Sequence, residues 1–151
     1  MSSLSGSASA EINAPLEHCY EIAADVDHIA EWQDGVVDVD VLERDDEGRV
    51  LVAEIHNDAK VRTVKVRVRF SYDEPRGLSW IQEKGDLKSL EGSWSFAEGA
   101  DGATTATYTL DIDAGRVLGM LVRGPVEGRV RDMMVMARPG QLKARAESGR
   151  G

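Results

Sequence analysis

With 151 residues, 42% of them apolar and 30% charged, the chain is the size of one domain and too apolar for disorder. Eighteen Lys and Arg against 27 Asp and Glu leave a net charge of −9, which argues against a general nucleic-acid binder, since duplexes select a basic face. Uncharged apolar runs are short, Val117 to Val122 among them, so no segment is expected to span a bilayer.

Ser7 to Asn13 alternates apolar and polar residues and predicts a first strand. Pro15 suits the start of a helix, with Asn13 as its cap. Leu16, Cys19, Tyr20 and Ala23 then fall on one helical face. Asp25 or Asp27 is a candidate cap for a second short helix through Ile29 to Trp32, and Asp34-Gly35 signals a turn. Strands follow over Val36 to Glu43, Arg49 to His56, Val61 to Tyr72, Leu78 to Glu83, Leu87 to Phe96 and Thr104 to Asp113. In the first of these Val37, Val39 and Val41 share the apolar face. In the third, Val64, Val66, Val68, Phe70 and Tyr72 alternate with Lys65, Arg67 and Arg69, a period of two that excludes a helix.

From Pro125 the period changes. Val126, Val130, Met133, Ala137 and Ala144 gather in one arc and predict a long amphipathic helix, with a kink at Pro139-Gly140. Val135 and Leu142 fall on the other side of that wheel. Strands joined by turns must be antiparallel, and the last helix is the element long enough to cover their apolar face. The expected fold class is α+β: a curved antiparallel sheet of about seven strands around a long C-terminal helix, with two short helices after the first strand. The expected domain runs over 7–147, with a flexible stretch at 1–6 and a frayed one at 148–151.

Ile12-Asn13-Ala14-Pro15, the run Asp25 to Trp32, the run Leu87 to Trp94 and the strand after the Gly102 turn together resemble the START-like, helix-grip superfamily (SRPBCC). That group includes polyketide cyclase/dehydrase and coenzyme Q-binding branches, and the closing run is similar to actinobacterial members. The resemblance implies a ligand cavity between sheet and helix, with the aromatic at position 32 closing one end. The family's C-terminal helix is smoother than one carrying Pro139-Gly140.

Common catalytic motifs are absent: no G-x-S-x-G, no G-x-x-x-x-G-K-[ST], no G-x-G-x-x-G and no H-E-x-x-H. No cofactor is expected. His18, Cys19 and His28, with Asp25 and Asp27, are the nearest approach to metal ligands, but adjacent helical residues diverge, so no metal site is expected. The first six residues lack the basic and apolar regions of a secretory signal, and Cys19 has no partner for a disulfide. A cytoplasmic location is expected.

The expected cavity lining is Trp32, Val66, Phe70, Trp80, Trp94, Tyr108, Met120, Val130, Met133 and Met134, with His56, Arg62 and Lys88 as candidate polar groups. Apolar pockets with few polar groups are the usual small-molecule sites. Three functions follow. The first is binding or transport of a hydrophobic molecule such as a lipid, quinone or polyketide. The second is a polyketide aromatase/cyclase or dehydratase drawing on His56, Glu54, Arg62 or Tyr108. The third is an interaction module. Residues 1–59 carry 15 acidic and two basic side chains, and residues 115–151 carry eight basic and three acidic, which suits an anionic membrane, an acidic partner or a homodimer.

Overall fold

A computed structural model describes residues 5–58, 63–116 and 125–148, with 125 and 126 described by their backbone alone. The expectations for Arg62, for Met120 and for the chain ends at 1–4 and 149–151 lie outside the described residues.

Seven strands form one antiparallel sheet: β1 (Gly6–Ile12), β2 (Val36–Arg44), β3 (Val50–Asp58), β4 (Thr63–Asp73), β5 (Gly77–Gly85), β6 (Ser89–Glu98) and β7 (Thr104–Asp113). Their order is β1-β7-β6-β5-β4-β3-β2. The six later strands are neighbours in sequence and in space, and β1 returns to pair with β7. Helix α1 (Leu16–Ala24) and a 3₁₀ helix (Val26–Glu31) fill the link between β1 and β2. Pro15, rather than Asn13, holds the cap position of α1. Asp25 begins the 3₁₀ helix without a side-chain cap bond; its carboxylate instead bonds His28 Nδ1 at 2.8 Å.

The alternation expected along β4 is present: Val64, Val66, Val68 and Phe70 are buried. β2 departs from expectation. The sheet register slips between Val36 and Asp38, so Val37 is the extra residue of a bulge and is 63% exposed, while Val36, Val39 and Val41 pack on the core. A bulge reverses the facing of everything before it.

The C-terminal run is three pieces. Helix α2 spans Pro125–Arg131, a π-helical turn spans Asp132–Met136, and helix α3 spans Arg138–Glu147. In the π turn the Ala137 amide donates to the Asp132 carbonyl, five residues back, at 2.9 Å. One residue more per turn rotates all that follows by about 100°. The buried stripe therefore runs through Val130, Met134, Val135, Arg138, Leu142 and Ala146. Ala137 and Ala144, expected on the inner arc, are exposed, and Val135 and Leu142 are fully buried. Pro139 sits in the first turn of α3, where its missing N–H breaks no helical bond, so the irregularity lies before Pro139-Gly140.

α3 lies against β1 and α1. Lys143 Nζ donates to the Glu11 carbonyl at 3.0 Å, Glu147 accepts from the Asn13 amide at 2.8 Å, and Arg145 pairs with Glu31 at 2.8 Å. The charge asymmetry between the two ends is thus partly met within the chain, through Arg145–Glu31. Among the described residues no helix is long and apolar enough to cross a membrane.

Candidate functional site

Where the sheet's inner face meets the 3₁₀ helix, the π turn and the start of α3, a cavity of about 70 Å³ remains. That is room for several waters or one small organic group. The walls are made by strand parity. Phe70 stands opposite Trp80 and Leu78 opposite Trp94, and Trp94 faces Tyr108 on the next strand. The ring centres form a continuous row, with Phe70–Trp80 at 6.1 Å, Trp80–Tyr108 at 5.8 Å and Tyr108–Trp94 at 4.8 Å. Trp80 also stands opposite Gly92, where a Cβ would overlap its indole. Glycine at that position therefore lets the ring lie flat on the sheet.

Val66, Phe70, Trp80, Trp94, Tyr108 and Met134 stand in the wall, with Val26, Ile29 and Ile55 among the residues that complete it. Trp32 is 9% exposed and packs on Trp94 with ring centres 6.3 Å apart, so it backs the wall rather than closing the cavity. Val130 and Met133 pack in the surrounding core and do not line the space.

The polar candidates go elsewhere. In β3, Ile55 and Asn57 face inward, so His56 and Glu54 face out. His56 stands opposite Lys65 and Glu54 opposite Arg67; His56 Nε2 lies 3.8 Å from Glu54, and Glu54 accepts from Arg67 at 3.3 Å. Lys88 precedes β6, so the parity that would have turned it inward does not apply; its side chain is 69% exposed and lies 3.8 Å from Asp113. Among the described lining residues, Gln33, Asn57, Tyr108 and Arg138 carry polar side chains, and Trp80 and Trp94 each carry an indole N–H. Asn57 shares the parity of Ile55 because β3 runs on past His56 to Asp58. Arg138 was hidden by the π turn, and Gln33 carries no sequence signal.

Arg138 is 3% exposed. Its Nη1 donates to the Asp34 carbonyl at 2.7 Å and to Gln141 Oε1 at 2.9 Å, and its Cζ lies 5.8 Å from the centre of the Tyr108 ring. Gln141 Oε1 also accepts from the Asp34 amide at 3.1 Å, so α3 and the Asp34 turn are tied together at this point.

Among the described residues no three or more of His, Cys, Asp and Glu converge on a metal position. Cys19 is buried against Thr104, and burial raises its thiol pKa. His28 is held above the usual imidazole range by Asp25.

Residues 12–137 match the family model described as polyketide cyclase / dehydrase and lipid transport. No curated protein matches the chain. Among solved structures, a START superfamily protein from Mycobacterium smegmatis superposes with a TM-score of 0.78 at 18% identity, over 95% of this chain and 97% of that one. A Thermus thermophilus protein gives 0.81 at 19% identity, over 97% and 99%. An aromatase/cyclase from a Streptomyces species gives 0.73 at 19% identity, over 99% of each chain. At these identities the likeness is one of fold.

Proposed function

The chain belongs to the polyketide cyclase/dehydrase and lipid transport family, and from that premise we propose that it binds or carries a hydrophobic small molecule, such as a lipid, quinone or polyketide-like compound, in the cavity between sheet and C-terminal helix. The observation that carries this reading is the unbroken aromatic row of Phe70, Trp80, Tyr108 and Trp94 along a space that the surrounding core leaves unfilled. Apolar surface buried there yields about 25 cal/mol per Å² before the costs of association. A ligand larger than this space requires Met134 to move, and its unbranched chain adapts at low cost.

A second reading, a polyketide aromatase/cyclase or dehydratase, draws support from the family description and keeps Tyr108 in the cavity. It loses Glu54 and His56 as an acid/base pair, because both face away. Among the described lining residues none is a histidine or a carboxylate, so binding is placed first. The same reading treats the protein as cytoplasmic, as a monomer or homodimer, with membrane contact at most peripheral.

Native mass spectrometry of the protein isolated from its own cells tests the proposal. A bound organic molecule that leaves on gentle activation is the expected result. Protein of bare chain mass that also fails to take up any of a panel of lipids, quinones and polyketides contradicts it.

A further inference from the structure

Two buried N–H donors of residues in the cavity wall have no acceptor among the described residues: Arg138 Nε and Trp94 Nε1. Both belong to residues that flank one ring. Trp94 stands 4.8 Å from the Tyr108 ring centre, and the Arg138 guanidinium carbon stands 5.8 Å from it. Arg138 is also a buried cation, and among the described residues no carboxylate pairs with it, although ten Lys or Arg pairs with carboxylates are described elsewhere. Burial of a guanidinium is costly unless an anion or a full set of acceptors meets it. Here the Asp34 carbonyl and Gln141 serve only Nη1. They fix the orientation of the group and leave its charge unanswered.

Resting on the binding reading above, we propose that the ligand is a flat apolar molecule carrying one oxyanion, a carboxylate or another ionised oxygen, which Arg138 and the Trp94 indole N–H hold beside Tyr108. The aromatic row receives the apolar body, and the two unpartnered donors receive the charged oxygen. A charge-assisted bond inside a low-dielectric wall is among the stronger single contacts available to a ligand. The site would therefore discriminate by charge between molecules of one shape.

The test uses 2-naphthoate and its neutral counterpart 2-naphthylmethanol, each titrated calorimetrically into the full chain. The wild-type protein is expected to bind the naphthoate at least about tenfold more tightly than the alcohol, the range of one charge-assisted hydrogen bond. Arg138→Gln should bring the ratio of naphthoate to alcohol affinity to within about twofold of one, because the charge that separates the two probes is gone. Trp94→Phe, which keeps an aromatic ring but removes the N–H and part of the apolar wall, should weaken the naphthoate more than the alcohol. Where Arg138→Gln does not fold, the wild-type ratio and the Trp94→Phe protein decide. Equal affinities in the wild type, or a naphthoate preference that survives both substitutions, overturns the oxyanion assignment and leaves the hydrophobic cavity standing. Failure of both probes to bind overturns the cavity reading and this inference with it.

Discussion

Leu142→Ala is expected to lower stability by about 2–5 kcal/mol, the range for truncating a fully buried leucine, while Ala144→Asp lowers it by only about 1 kcal/mol, through helix propensity and the helix dipole. Leu142 is 0% exposed and Ala144 is exposed. A regular helix drawn from Pro125 exchanges the two, placing Ala144 inside and Leu142 out. The pair therefore reports the rotation introduced at Asp132–Met136. Urea unfolding of both variants measures it. A silent Leu142→Ala beside a disruptive Ala144→Asp would mean that the helix runs through without the extra residue, and Arg138 would then turn away from the cavity.

Gly92→Val is expected to cost about 1–3 kcal/mol through overpacking. It should also shift the tryptophan emission of the folded protein. Any Cβ at this position overlaps the Trp80 indole. The ring must lift off the sheet, and the space available to it is the cavity, next to Tyr108 and Phe70. Thermal unfolding and fluorescence together check this. An unchanged unfolding midpoint with unchanged emission would contradict the stacking of Trp80 on Gly92.

The sheet was legible because its signals are local and repeated. Period-two alternation in β4 and β7 and the glycine turns between strands leave one arrangement, an antiparallel meander with a single apolar face. The inward aromatics followed from that parity alone, and Val66, Phe70, Trp80, Trp94 and Tyr108 stand where it puts them. What failed, failed at insertions. The extra residue at Val37 reverses the start of β2, and the extra residue per turn in the π segment rotates α3. Neither changes composition or period enough to be seen from the residues, because each is set by the packing of distant elements. The polar content of the cavity is hidden in the sequence for related reasons. His56 has a parity set by pairing with β4, Lys88 lies just before its strand, and Arg138 comes inward through the π turn. Trp32 was expected at the cavity by resemblance, and it meets Trp94 one layer behind the wall.

The most direct measurement is anomalous diffraction from a crystal of this protein held under xenon pressure, since xenon enters apolar space large enough to hold it without needing a chemical handle. The account predicts a xenon peak bounded by Phe70, Trp80, Trp94, Tyr108 and Met134. Continuous side-chain density through that volume, with xenon only on the outer surface or not at all, would contradict it.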